Sequence, residues 1–217
     1  MERYIYDTIV PRYSAHDSAH REDHALIVIN QALELHDRMP GWLEAHPEAD
    51  EEWREPVDRN ILIMAAACHD IGLVNGRENH HLDSGKMIRA DRNLRQWFSE
   101  EQIETIAQAA EDHRASGKRP PRSIYGKIVA EADRVIDAET IIRRTVQFGL
   151  NNYPDLDRKG HIERAVAHLR EKYGRGGYLK LWIPWSDNAV RLAALQDIIA
   201  DDDAVYDIVT SIFDRLS

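Results

Sequence analysis

The sequence predicts an all-α fold. Apolar residues recur at helical spacing in segment after segment, period-two alternation never persists beyond a few residues, and no Asn-Gly type turn stands between alternating apolar runs. The first periodic segment, 24–36, carries so many apolar side chains (Ala25, Leu26, Val28, Ile29, Ala32, Leu33, Leu35) that its helix should be mostly buried. Residues 39–59, rich in Pro and acidic side chains, read as a solvated connection. Residues 60–68, NILIMAAAC, are too helix-prone for a strand and too short to cross a membrane, so they form a core helix ending near Gly72. Further helices fit 83–97, 99–113 with Ser99 as N-cap and Gln102 three residues on, 123–148, 159–173 and a segment starting near Asp187. The Asp201-Asp202-Asp203 run interrupts the last helix and caps 204–216. The one strand candidate, 178–185 (YLKLWIPW), contains Pro184 and follows a Gly-rich turn, so an apolar loop fits equally.

The chain has 217 residues, 43% of them hydrophobic, with 11 Gly and 8 Pro, which excludes a disordered tail or a collagen-like repeat. A formal charge of −10 disfavours a sequence-independent grip on duplex nucleic acid. Cys68 is the single cysteine, so no intrachain disulfide is expected, and the N-terminal residues show neither an apolar signal region nor a membrane span. A soluble cytoplasmic protein, with a homodimer as one option, is the expectation.

Histidine is the unusual count, at 11. His69-Asp70 directly follows the apolar run 60–68, and a buried carboxylate must find a cation, hydrogen bonds or a metal ion. Taken alone, the dipeptide reads as a helix C-terminus whose last carbonyls are satisfied by side chains. Other segments repeat the pattern. His24 shares a helix face with Val28 and Ala32; His113 ends the series Ile103, Ile106, Ala107, Ala110; Asp133 shares a face with Val129 and Ile136; His81 precedes Gly85 and Ile88 at i+4 and i+7. Helical proteins build metal sites from such inward side chains on facing helices. Neutral imidazole and carboxylate suit Mn, Fe, Co or Ni, with Mg or Zn also possible, and the absence of thiolate partners argues against a structural zinc site.

The order His24, His69-Asp70, His81, His113, Asp133 resembles the HD superfamily of metal-dependent phosphohydrolases, through AHREDHALIV, AAACHDIG, HHLDSGKMI and IVAEADRV. The resemblance implies an HD-domain helical bundle with additional C-terminal helices. It is expected as one domain, 1–217, with a metal-site core over about 16–140 and an extension over about 150–217. It further implies a first metal on His24, His69, Asp70 and Asp133 and, in the two-metal branch, a second on Asp70, His81 and His113, with Asp70, His81 and His113 closest to the chemistry. His80 competes with His81, because it stands four residues before Ser84 just as His81 stands four before Gly85. The implied activity is hydrolysis of a small phosphorylated substrate of the nucleotide kind, with one or two divalent metals per chain. Relatives that cleave cyclic dinucleotides have Lys after the HDIG run, where this chain has Leu73, and they carry a GYP segment that it lacks. Some relatives with the same six ligands instead hold two irons and use dioxygen to cleave a carbon bond, and a non-catalytic nucleotide-binding protein is the third option.

A phosphate needs donors beyond metals. The stretch 114–127 holds five basic residues and no acid, a local reversal of charge, so Arg114, Lys118, Arg119 and Arg122 are candidate anion contacts. Lys86 and His20 are weaker candidates. His161 and His168, seven apart on one helix, read as surface residues, and the aromatic residues Tyr178, Trp182 and Trp185 as packing against the core.

Overall fold

The computed structural model describes residues 1–15, 22–114 and 119–217; among them the regular structure is helical throughout, with no strand. The chain opens with α1 (Glu2–Tyr4), a π turn over Ile5–Ile9 and a 3-10 stretch over Val10–Ala15. Ile5, Ile9, Val10 and Tyr13 are buried, so this segment contributes to the core.

α2 (Glu22–Ala45) runs well past the expected end at residue 36 and continues through Pro40. Proline removes one helical hydrogen bond, and tertiary packing holds the rest of the turn: Met39 is buried, Trp42 lies 5.0 Å from the Trp185 ring, and the Trp185 indole donates to the Leu35 carbonyl at 2.7 Å. α3 (Arg59–Cys68) starts where the Asp58 side chain accepts from the amides of Asn60 and Ile61, and every residue from Ile61 to Cys68 is buried. α4 (His80–Ala90) begins three residues earlier than the 83–97 expectation and stops at Asp91, whose side chain caps a separate 3-10 turn, Arg92–Gln96. α5 (Glu100–Asp112) opens with the expected capping box of Ser99 and Gln102.

The expected single helix 123–148 is two helices, α6 (Ile124–Ala132) and α7 (Ala138–Asn152). The break has local causes. Arg134 reaches back to the Ala130 carbonyl, satisfying a last-turn acceptor, and Asp137 accepts from the Thr140 amide to start the next helix. α8 (Arg158–Tyr173), α9 (Asn188–Ala200) and α10 (Asp202–Leu216) follow, with Asp157 and Asp201 as side-chain N-caps of α8 and α10. The strand candidate 178–185 is irregular. No helix among the described residues is long and apolar enough to cross a membrane.

The chain divides into two compact units, 1–134 with 182–186, and 135–181 with 187–217. In the first, α3 packs against α2, α5 and α6, and α4 packs on α5. Trp53, Trp185 and Ile183 belong to its apolar core. In the second, α7, α8 and α10 pack on one another, with α9 against α8 and α10. His161, expected at the surface, is buried there against the Phe213 ring, because the α8 face that carries it also carries Ile162, Ala165, Val166 and Leu169.

Candidate metal centre

The first unit places five histidines and aspartates at helix ends and a sixth, His24, in a first turn. His69 is the C-cap of α3 with Asp70 next, His113 is the C-cap of α5 and Asp133 the C-cap of α6, while His80 is the first residue of α4 and His24 lies in the first turn of α2. The C-terminus of a helix carries partial negative charge. Three C-terminal ends meeting three carboxylate-and-imidazole caps make a place that favours a cation.

Two groups share one carboxylate. On one side, Asp70 Oδ2 lies 3.5 Å from His69 Nε2 and 3.9 Å from His24 Nε2. The two Nε2 atoms are 3.3 Å apart, and Asp133 Oδ1 is 3.1 Å from His24 Nε2 and 3.7 Å from His69 Nε2. On the other side, Asp70 Oδ1 lies 3.2 Å from His113 Nε2 and 3.3 Å from His80 Nε2, which are 3.2 Å from each other. Each oxygen of Asp70 thus serves a different group.

The imidazoles are fixed from behind. His69 Nδ1 stands 2.8 Å from the Ala66 carbonyl, His80 Nδ1 2.7 Å from that of Arg77, and His113 Nδ1 2.5 Å from that of Ala110. A carbonyl only accepts, so each Nδ1 carries the proton and donates, and each neutral ring then turns an Nε2 lone pair inward. Lone pairs facing one another at 3.2–3.3 Å repel unless something positive lies between them. Asp70 Oδ1 is buried without a hydrogen-bond partner beside two of them. Donor atoms about 2.1 Å from one divalent ion sit about 3.0–3.4 Å apart at neighbouring coordination positions, which matches these separations. The residues fit metal ions. Without a metal the pocket takes its positive charge as a proton: burial opposes charge on His69, yet the Asp70 and Asp133 carboxylates and the Ala66 carbonyl raise its pKa to about 9, so a metal ion would displace a proton from Nε2 to meet the neutral ring. Burial likewise opposes charge on Asp70 and Asp133, but the surrounding imidazoles hold both well below the usual carboxylate range.

His81, assigned from sequence to the second group, is not in it; His80 takes that place. The reason is a contact between segments. The Gly72 amide donates to the Ser84 hydroxyl at 2.9 Å, and a Cβ on Gly72 would sit 2.2 Å from the His80 carbonyl oxygen and 2.4 Å from the Ser84 amide. The Ser84 face of α4 therefore lies against the turn that follows Asp70, and His80 is one helical turn before Ser84. His81 is half-buried beside His80, with its Nδ1 buried and unpartnered; burial, Arg114 and the neighbouring histidines push its pKa down to about 4.

The sequence-derived anion contacts fare differently. His20 and Lys118 lie outside the described residues. Arg122 is held by acids: it donates to Asp112 at 3.0 Å and to Glu111 at 2.7 Å. Lys86 pairs with Asp83 at 2.8 Å and is largely exposed. Arg114 donates to the Glu78 carbonyl and lies close enough to His80 and His81 to lower both their pKa values. Cys68 is buried with its thiol 3.7 Å from Met64 Sδ, and burial raises its pKa to about 12.

Sequence reasoning missed Tyr13. Its ring is fully buried, and its hydroxyl donates to the Ala67 carbonyl at 2.9 Å and accepts from the Asp70 amide at 3.1 Å. It also missed Glu111, which Arg89 and Arg122 both bind and which packs against Gly85, joining α4 to α5 behind the second group.

No curated protein and no solved structure matches this chain. A family model described as HD domain matches residues 21–137, over half the chain, and that span contains every member of both groups. A helical unit whose His, His-Asp and Asp caps converge is the arrangement that name denotes, and the chain belongs to the HD domain family, a superfamily of metal-dependent hydrolase type.

Proposed function

We propose that the protein is a metal-dependent phosphohydrolase that acts on a small phosphate ester of the nucleotide class. The observation that carries this reading is Asp70, whose two oxygens each face a separate set of imidazole nitrogens. His24, His69, Asp70 and Asp133 would hold one divalent ion, and Asp70, His80 and His113 a second, with Mn, Fe, Co or Ni suited to the donors. When bound, such ions supply a water nucleophile at neutral pH and neutralise charge on phosphoryl oxygens.

The chain's own residues have separate tasks. The carbonyls of Ala66, Arg77 and Ala110 keep His69, His80 and His113 in the tautomer that presents Nε2, which fixes ring orientation before any ligand arrives. Arg114, next to His113, is the described cation best placed to receive an anionic group, and the neutral ring of His81 beside it offers a nitrogen to the same group. Lys118 and His20, outside the described residues, are proposed from the sequence alone as further contacts to that group. The net charge of −10 suits a small phosphorylated molecule better than duplex nucleic acid.

A di-iron oxygenase is the second reading, favoured by the same carboxylate between two nitrogen groups. Reconstitution with Mn, Co or Ni, followed by a panel of nucleotides and simple phosphate esters, tests the first reading. Release of phosphate or a phosphomonoester supports it. Two irons per chain with dioxygen consumption and no ester hydrolysis replaces it by the second, and nucleotide binding without turnover replaces it by a binding protein.

A further inference from the structure

The N-terminal segment 1–15 lies ahead of the family match at 21–137, yet one of its side chains reaches the centre of the site. Tyr13 is fully buried, and its hydroxyl stands at the C-terminus of α3. There it donates to the Ala67 carbonyl, one of the last-turn acceptors that the helix itself leaves unpaired, and accepts from the Asp70 amide, which has already left the helix. A single oxygen thus bridges the backbone on both sides of His69, and its distance to His69 Nδ1 is 3.5 Å. The segment that carries it is anchored independently. Ile5 and Ile9 are buried, the Tyr4 hydroxyl donates to the Asp91 carboxylate, and Arg12 lies 3.8 Å from the same carboxylate.

From this geometry we infer that Tyr13 is a positioning residue for the metal centre: its hydroxyl sets where the shared carboxylate of Asp70 stands, and segment 1–15 is the strap that carries it. The inference rests on the reading of the His/Asp groups as metal ligands. Because Asp70 faces both groups, a shift of its backbone misplaces one oxygen in each, so loss of the hydroxyl should weaken both metals together. Groups that orient metal ligands typically contribute about 10–100-fold in affinity.

Tyr13→Phe keeps the ring and removes the oxygen. Tyr4→Phe is the matched control, because it removes a strap hydroxyl that bonds Asp91, outside both ligand groups. Wild type and both variants would be titrated with Mn2+ calorimetrically, and exchange of the Asp70 amide would be followed in the metal-free proteins. The expected result is Mn2+ binding weakened at least tenfold at both sites in Tyr13→Phe, with faster Asp70 amide exchange, while Tyr4→Phe binds within twofold of wild type. Equal Mn2+ affinity in Tyr13→Phe and wild type would overturn the inference and leave the metal reading standing. Equal losses in the two variants would also overturn it, showing that the strap acts through stability alone. Wild type that binds no Mn2+ would remove the metal reading and this inference with it, even if the amide exchange differed.

Discussion

Both units of this protein bury histidine, and the difference between them shows what makes buried histidine a candidate site. In the first unit, His69, His80 and His113 each rest Nδ1 on a backbone carbonyl three residues back, so their other nitrogens meet around Asp70. In the second, His161 is buried too but packs against Phe213, and its Nδ1 has no hydrogen-bond partner. Burial is common to both. Convergence of oriented lone pairs on a carboxylate, at the ends of several helices, is found in the first alone among the described residues.

The sharpest break of that comparison is at the shared carboxylate. Asp70→Asn keeps the shape and removes the charge that both groups face, so Mn2+ stoichiometry should fall to zero and ester hydrolysis by at least about a hundredfold. Equilibrium dialysis with metal analysis and a phosphate-release assay check it. Next in size is the pair His80→Ala and His81→Ala. The first should abolish the second equivalent of Mn2+ and spare the first, whereas the second should keep both, because His81 is outside the ligand groups. Calorimetric titration of the two variants separates them.

Those neighbours also mark where the sequence stopped being readable. Inward placement of His24, His113 and Asp133 follows from the apolar residues that share their helix faces, and the His69-Asp70 pair from the run it terminates. On α4, Ser84 and Gly85 are both small and both buried, so spacing supports His80 and His81 equally. What separates them is the approach of Gly72 to Ser84, a contact between segments that periodicity does not encode. The break after Asp133 was hidden for a related reason. Ile136 continues the apolar spacing of α6, and the cap at Asp137 and the return of Arg134 onto Ala130 are local hydrogen bonds that override it. Tyr13 had no signal at all, since one aromatic residue in an N-terminal stretch has no periodic partner to point its hydroxyl at Asp70. α2 outran its expected end because Trp42 and Trp185 meet across well over a hundred residues of chain.

A smaller effect tests the second unit. His161→Leu should leave Mn2+ binding unchanged and alter stability by no more than about 1 kcal/mol in either direction, because it removes a buried polar atom that makes no hydrogen bond. Urea denaturation with and without Mn2+ measures both.

The smallest effect concerns the acids behind the second group. Arg89 binds Glu104 through two nitrogens at 2.7 and 2.9 Å, and this pairing with Gln108 lowers the Glu104 carboxyl to about 2 from its ordinary 4.5. The folded state therefore binds this proton less readily than the unfolded chain. The stabilisation is present above about pH 4.5 and is lost as pH falls toward 2. Glu104 is 46% exposed, so solvent screening keeps the contribution below about 1 kcal/mol. Melting curves of Glu104→Gln should accordingly fall less steeply than wild type between about pH 5 and 3.

The most direct measurement is an anomalous difference map from crystals of the wild-type protein soaked in Mn2+. Two peaks are expected, one on the Oδ2 side of Asp70 among His24, His69 and Asp133, the other on the Oδ1 side between His80 and His113. A map with no peak at either place, the imidazoles bonded instead to one another and to water, would contradict the account.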